Sequence, residues 1–273
     1  MAAPLVPPVL FLAHGAPTLA LEPGTWGAAL AELGRGLPAL RGVLLCSAHW
    51  ETPGGFRLGA SPDPETIHDF SGFPEALDAL AYPAPGSPEL AVRAAGLLAA
   101  AGFDASLDAR RGLDHGAWVP LMHLLPEARI PVVPLSLPRP RDPATLWAAG
   151  RALAPLREAG VLILGSGGLV HNLAHLDWTG AAGPRPWAQA FEAWLMERLA
   201  SPDPTRAMAW RDAPGAALAV PTSEHLDPLW IALGAAGIAR GNDRSSAVML
   251  APRRTIAARS MILRSSRTLP GKS

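Results

Sequence analysis

Three short apolar segments that each lead to a histidine constrain the fold of this 273-residue chain more than any other feature. They are Val9–Ala13 before His14, Val43–Ala48 before His49, and Val161–Ser166 leading to His171. Continuous apolar runs of this length are typical of strands that are buried on both faces of a parallel sheet. Helix signals alternate with these runs. The pattern therefore predicts an α/β fold, with a central, mostly parallel or mixed sheet flanked by helices.

The histidines follow the carboxyl ends of the predicted strands, where open α/β sheets bind their ligands. Neutral imidazole is the commonest metal ligand in proteins. Because three imidazoles are expected to meet at one edge of the sheet, the sequence predicts a metal site there. His14 and His49 are the firmest candidates. The glycines before His171 are suited to a tight turn that presents its ring, and Asn172 is expected to orient that ring.

One domain is expected to span residues 1–273, because neither a linker nor a fixed-period repeat divides the chain. Residues 264–273 are polar and basic, and we expect them to form a flexible tail. The segment 130–137 is strand-like but contains two prolines, which favours an edge or interrupted strand. Residues 187–199 and 222–233 are predicted to be helical. Residues 247–250 and 258–263 are candidates for closing strands.

Composition excludes several functional classes. The 23 basic and 23 acidic residues cancel, so the chain lacks the basic character of a nucleic-acid-binding protein. It also lacks the roughly 18 apolar residues in a row that a membrane span requires. Cys46 is the single cysteine, which excludes intrachain disulfides and fits a reducing compartment. The start of the chain lacks the basic region of a signal peptide. We therefore expect a cytoplasmic protein.

The remaining histidines divide into candidates and structural residues. His115, in the loop before a predicted helix, is suited to metal ligation or to acid–base chemistry. His225 is expected in the first turn of a helix, where a capping box explains the neighbouring Glu224 better than it explains His225. His68 is expected to be oriented by Asp69 and to line a pocket with Phe70 and Phe73. The other two, His123 and His175, are interpreted as structural.

Common catalytic motifs are missing from the sequence. Neither the G-x-G-x-x-G fingerprint nor the P-loop pattern is present, which argues against a nucleotide site. The H-E-x-x-H pattern of zinc proteases and the G-x-S-x-G elbow of serine hydrolases are also missing.

Seven segments, taken together and in order, resemble the class III extradiol ring-cleavage dioxygenases, in particular the 4,5-DOPA dioxygenase branch. They are FLAHGAP (11–17), SAHW (47–50), TIHDFSGFP (66–74), YPAPGSPEL (82–90), GLDHGAW (112–118), SGGLVHNL (166–173) and PTSEHLDPL (221–229). They cover nearly the whole chain. Two departures from the family pattern, FLAHGAPT in place of Gly-His-Gly-Ser-Pro and Gly168 in place of a bulkier residue, concern substrate preference more than the metal site.

The resemblance implies a single α/β domain with a non-haem metal site. Carried over residue by residue, it implies metal ligation by His14, His49 and His225. It places His171 as a further ligand or as a base beside the metal, and His115 as an acid–base residue behind the ligands. The implied reaction is the extradiol cleavage of a catechol with O2, and Trp50, His68 and Phe70 are expected to shape the aromatic pocket.

The identity of the metal is a separate question. Iron oxygenases usually bind Fe(II) through two histidines and one carboxylate, whereas several histidines together resemble a zinc site, and zinc has no redox chemistry. We therefore expect Fe(II) as the working metal and allow for Zn(II) in the purified protein.

Two alternatives stay open at this point. One is a zinc hydrolase that uses metal-bound hydroxide, with His171 or His115 as the proton shuttle. The other is a non-catalytic metal-binding member of the same fold. No interface is evident in the sequence, and a monomer is favoured.

Overall fold

The computed structural model describes residues 5–176, 183–237, 248–250 and 261–262. The strands are β1 (Val9–Ala13), β2 (Gly42–Pro53), β3 (Phe56–Gly59), β4 (Ala105–Asp108), β5 (Val132–Arg139), β6 (Val161–Gly167), β7 (Val248–Leu250) and β8 (Met261–Ile262). The α-helices are α1 (Gly24–Arg35), α2 (Pro88–Ala100), α3 (His115–Leu124), α4 (Pro143–Leu153), α5 (Pro186–Leu199), α6 (Ala216–Ala219) and α7 (Asp227–Ala235). Short 3-10 helices span Pro17–Ala20, Glu75–Leu77, Ala154–Ala159, Leu173–His175 and Pro204–Asp212.

The described strands form one sheet in the order β4-β3-β5-β2-β6-β1-β7-β8. Strand β6 pairs in parallel with β1 and with β2, and the pairings of β2 with β5, β1 with β7 and β3 with β4 are also parallel. The contacts of β3 with β5 and of β7 with β8 are antiparallel. The predicted α/β fold with a mostly parallel, mixed sheet is therefore confirmed.

Helices cover both faces of the sheet, and this explains the continuous apolar strands. Along β1, Val9 and Phe11 pack into a core with α2, α4, α5 and α7. The alternate residues, Leu10 and Leu12, pack on the opposite face against α1 and α3. Since successive strand side chains point to opposite faces, a strand between two helical layers must be apolar at every position.

Strand β5 differs from the edge position that its prolines favoured, because it lies inside the sheet between β3 and β2. It is nevertheless interrupted. Its pairing with β2 shifts register between Cys46 and Glu51, and its ladder pairing with β3 is limited to Leu58 opposite Leu135. The sparse pairing with β3 leaves positions where the missing N–H of a proline is tolerated. The expectation of an edge strand was wrong, and that of an interruption was right.

The predicted helix at 187–199 is confirmed as α5, whereas the helix predicted at 222–233 begins later, at Asp227. Pro228 lies in the first turn of α7, a position where proline is favoured because its N–H would have no partner. The closing strands correspond to β7 and β8, and the predicted tail at 264–273 lies outside the described residues. None of the described helices combines the length and apolarity that a membrane crossing requires.

Candidate metal centre

The sheet brings His14 and His49 together. His14 directly follows β1, and its backbone N–H donates to Gly167 O at 3.2 Å. His49 lies on β2 just beyond Ser47, the last residue that β2 pairs with β6. The Nε2 atoms of the two rings are 3.0 Å apart. Two nitrogens that ligate one ion at about 2.0–2.1 Å each would show such a separation.

His225 completes a cluster of three rings from a turn rather than from a helix, since α7 begins only at Asp227. One ligand atom from each of His14, His49 and His225 lies within 4.8 Å of the others. Close packing of the Gly167–Gly168 backbone against that of His225 brings the His225 ring to the other two. Gly168 N donates to His225 O at 2.7 Å, and a Cβ on Gly167 would lie 2.0 Å from that same oxygen.

His115 opens helix α3 and lies behind His49, with 4.0 Å between their ring centroids. Asp69 joins the two rings. Its Oδ1 is 2.9 Å from Nδ1 of His115, and its Oδ2 is 3.5 Å from Nδ1 of His49. Asp69 was expected to orient His68, but Nε2 of His68 lies instead 3.0 Å from Leu80 O.

His171 lies at the more open side of the cluster. Its ring stacks on that of His225, with centroids 3.4 Å apart and planes 9° from parallel. Asn172 does not orient this ring as expected, because its amide donates to Leu218 O and accepts from Ala174 N. His171 groups with Glu224 and His225 as a possible metal set, not with His14 and His49.

Glu224 serves the site rather than the helix cap that the sequence suggested. It accepts a hydrogen bond from Thr222 Oγ1 at 2.9 Å, and its Oε1 lies 3.1 Å from Nδ1 of His225. The same oxygen is 3.9 Å from Nδ1 of His171. The capping interpretation was wrong because α7 starts beyond this segment.

An oxygen atom lies beside the Nδ1 atom of each of four histidines, namely His14, His49, His115 and His225. Ser166 Oγ lies 3.0 Å from Nδ1 of His14 and donates its own proton to Gly116 O, so it can only accept from the histidine. Glu224 holds His225, and Asp69 faces both His49 and His115. An Nδ1 that donates to oxygen leaves Nε2 unprotonated, as metal-binding histidines require.

Burial keeps His14 and His49 neutral, whereas hydrogen bonds keep Asp69 and Glu224 charged. Burial, aided by neighbouring histidines, holds the pKa of His14 well below its usual value and lowers that of His49 to about 3. Burial opposes the ionisation of Asp69 and Glu224. Hydrogen bonds from His115 to Asp69 and from His225 to Glu224 nevertheless outweigh it, so that both acids have a pKa of about 2. Neutral imidazoles beside ionised carboxylates suit a cation.

A cavity of about 580 Å³ opens at the histidines, and Phe70 lines it as predicted. Trp50 and His68, which were expected to wall the same pocket, are not among its lining residues. Trp50 is adjacent to His49 on β2 and therefore points to the other face, where it stacks against Arg111 at 4.8 Å. The ring of His68 lies behind Phe70, against Trp118.

Arg141 connects the two segments that carry His49 and His225. Its guanidinium donates to Glu51 at 2.6 Å and to Asp227 at 2.5 Å. These acids stand two residues after His49 and His225 in the sequence. Ser223 adds a bond to Asp227 at 2.8 Å. Such a buried ionic bridge fixes the relative position of the two segments.

Sequence inspection missed Ser166, Arg141 and the roles of Asp69 and Glu224. Their partners are distant in the chain, up to 152 residues for Ser166 and His14, so no local spacing reveals them. The one available signal was that Asp69 and Glu224 each adjoin a histidine.

Comparison with known proteins places this geometry in context. Residues 10–259 match the family described as the catalytic LigB subunit of aromatic ring-opening dioxygenase. The 4,5-DOPA dioxygenase extradiol of Escherichia coli (strain K12) is 40% identical over 232 residues, which cover 84% of each protein. The protein of the same name from Beta vulgaris is 41% identical, over 83% of this chain and 86% of its own length.

A solved structure agrees with the fold. The crystal structure of an uncharacterized protein from Escherichia coli K12 superposes with a TM-score of 0.66 at 35% identity, covering 77% of this chain and 81% of that protein. The two curated relatives are named extradiol dioxygenases and the family is described as an aromatic ring-opening dioxygenase, which supports dioxygenase chemistry over the hydrolase and non-catalytic alternatives.

Proposed function

The chain belongs to the family of the catalytic LigB subunit of aromatic ring-opening dioxygenase, and on this premise we propose that it cleaves catechols at a metal held by His14, His49 and His225. It is an extradiol dioxygenase, so its substrates are a small aromatic molecule and O2. The cleaved bond lies beside the diol. DOPA, which appears in the names of the relatives, belongs among the catechols to be tested.

The observation that carries the proposal is the set of oxygens behind the rings. Ser166, Asp69 and Glu224 each occupy the Nδ1 side of a histidine, and the Nε2 atoms of His14 and His49 meet at 3.0 Å. Histidines that ligate metals are oriented in this way by a second layer of acceptors. Histidines with a purely structural role would not require the same tautomer, with the proton on Nδ1, at every ring.

The donor set fits a divalent transition metal, since three neutral imidazoles suit iron and zinc alike. We propose Fe(II) as the working metal, because O2 chemistry requires a metal that changes its oxidation state, which zinc does not. Fe(II) bound here would supply that redox chemistry. Zn(II) remains a candidate for the purified protein.

We assign proton transfer to His115 and His171. His115 donates from Nδ1 to Asp69, so its Nε2 is free to accept a proton from a catechol hydroxyl, and Asp69 stabilises the resulting imidazolium. The side chain of His171 is 29% exposed, and its Nδ1 lies 3.9 Å from Oε1 of Glu224. One histidine accepts the proton from the diol, and the other returns a proton as the ring opens.

We propose further that the protein acts as a monomer in the cytoplasm. The buried Cys46, the one cysteine of the chain, supports a reducing compartment. Gel filtration checks the monomer directly, since a dimer would elute at twice the chain mass of 28.4 kDa.

The function is tested by loading the protein with Fe(II) without oxygen and measuring O2 uptake with a panel of catechols. One O2 should be consumed for each yellow, ring-opened product. His115→Ala should retain the metal and lose about 10²–10⁴-fold in kcat, the usual share of an acid–base residue. His175→Ala, an exposed residue away from the centre, is the control.

Two results would contradict the proposal. One is the absence of O2 uptake with every catechol in the panel. The other is catechol-independent hydrolytic activity with zinc in the absence of O2, which would favour the hydrolase.

A further inference from the structure

The cavity beside the histidines has two chemically different parts. The five rings of the centre and Asp69 form its polar floor. Its remaining wall is formed largely by the side chains of Leu19, Trp26, Phe70, Phe73, Val170, Leu173 and Leu176. The volume of about 580 Å³ lies in the range of small-molecule sites, about 300–1,000 Å³.

The apolar wall presents few polar atoms to a ligand. The indole N–H of Trp26 is used by Ala13 O at 3.0 Å, so the ring offers its apolar surface. Phe70 and Phe73 pack edge to face, with centroids 5.6 Å apart. At the rim, Leu173 and Leu176 are 58% and 47% exposed, so a ligand that reaches them would cover apolar surface.

The charge of the cavity disfavours an acidic ligand. Within the described parts of the chain, its lining contains neither lysine nor arginine, and its carboxylate is Asp69. Asn172, one of two uncharged polar side chains among those residues, already bonds Leu218 O and Ala174 N. A carboxylate placed against this wall would lose water without gaining a cationic partner among the lining residues that the structure describes.

We propose that the ring of the natural catechol carries an uncharged, apolar substituent, such as a short alkyl or aryl chain, that lies against Trp26, Phe73 and Leu176. This inference rests on the proposed function and specifies its substrate class. The diol faces the histidines, and the substituent extends along the apolar wall toward the rim. An amino-acid or carboxylate chain would meet the same leucines and aromatic rings.

The test compares binding of matched catechols to the zinc-loaded protein by calorimetry, and turnover by the iron-loaded protein. The probes are catechol, its 4-methyl, 4-ethyl and 4-propyl derivatives, 3-(3,4-dihydroxyphenyl)propionate and 4-(2-aminoethyl)catechol. Each added methylene should tighten Kd about fourfold, the value for burial of one CH2 group. Both charged chains should bind more weakly than the propyl derivative.

The outcomes separate the inference from the function on which it rests. Cleavage of catechol with no gain along the alkyl series, or tighter binding of either charged chain, overturns the inference and leaves the function intact. Failure of the iron-loaded protein to cleave any catechol overturns the proposed function.

A charge introduced at the rim gives a second test. Leu176→Arg should tighten binding of the propionate about fivefold, as expected for one ion pair in water at close range, and weaken that of the propyl derivative. Leu107→Arg is the matched control, since Leu107 is 46% exposed and lies on β4 at the far edge of the sheet. Equal responses to the two substitutions would overturn the inference.

Discussion

His14 and His49 are carried by strands at the centre of the sheet, whereas His171 and His225 are carried by the loops after β6 and before α7. We refer to these pairs as the strand half and the loop half. Ladder pairing and two packed layers of helices fix the strand half. A few hydrogen bonds fix the loop half, including those of Gly168 N to His225 O and of His171 N to Ala219 O.

The difference assigns different tasks to the two halves. A ligand on a buried strand is rigid, because moving it would disturb close-packed neighbours. A ring on a loop adjusts at smaller cost, and loops positioned by a rigid scaffold commonly carry function. We therefore expect the strand half to fix the position of the metal, and the loop half to add His225 as the third ligand and to adapt to substrate through His171.

Arg141 connects the two halves, and its loss should have the largest effect on stability. Arg141→Met leaves the carboxylate of Asp227, which is 3% exposed, without its cation. Breaking a buried pair in this way costs about 3–5 kcal/mol in the free energy of unfolding, measured by denaturant titration. In the control Arg129→Met, an exposed pair with Glu127 is lost and the change should be below about 1 kcal/mol. Equal changes in the free energy of unfolding for the two substitutions would show that Arg141 does not hold the strand half and the loop half together.

Gly167→Ala should displace the loop half alone. The new Cβ would lie 2.0 Å from His225 O, so that the turn carrying His225 must move. We expect a loss of about 1–3 kcal/mol in stability, as for other overpacked sites, together with weaker metal binding. Gly183→Ala, where a Cβ meets no atom of the described residues within 4 Å, should have little effect on either quantity. Unchanged metal affinity in Gly167→Ala would argue against His225 as a ligand.

Ser166→Ala tests the strand half. Removal of the acceptor behind His14 frees the ring to adopt the other tautomer, and the metal affinity should fall about 10–100-fold. Competition with a chelator measures this change. Ser61→Ala, on a loop outside the lining of the cavity, serves as the control. A fall of less than twofold would mean that Ser166 does not set the tautomer of His14.

Glu224→Gln should have the smallest effect, because the amide oxygen of glutamine still accepts from His225. We expect a loss in metal affinity at the lower end of the same range, about tenfold, as judged by the same chelator competition. A greater loss than in Ser166→Ala would reverse the comparison and make the loop half the principal support of the metal.

The sequence predicted the strand half well, because apolar runs and their terminal histidines are local patterns. Val9–Ala13 became β1 as expected, and His14 and His49 converge at the predicted edge. Local patterns failed where the answer depended on distant contacts. The prolines of β5 favoured an edge, but β5 lies inside the sheet, where its pairing with β3 is limited to Leu58 opposite Leu135.

The loop half was harder to predict for the same reason. Glu224 has the spacing of a helix cap, and only the position of Pro228 in the first turn shows that the helix starts after it. Trp50 adjoins a site residue in sequence, yet the alternation of strand side chains directs it to the opposite face. Neighbours in sequence are therefore poor guides to which residues share a cavity.

The central claim is that His14, His49 and His225 hold one metal ion and that His171 stands beside it. Metal content after reconstitution with Fe(II) or Zn(II), measured by mass spectrometry on the wild type and on single alanine variants, tests this claim most directly. We predict one metal per chain in the wild type, in His171→Ala and in the control His175→Ala, and its loss in His14→Ala, His49→Ala and His225→Ala. Full metal retention in His14→Ala, or a loss in His171→Ala as complete as in His225→Ala, would contradict the account.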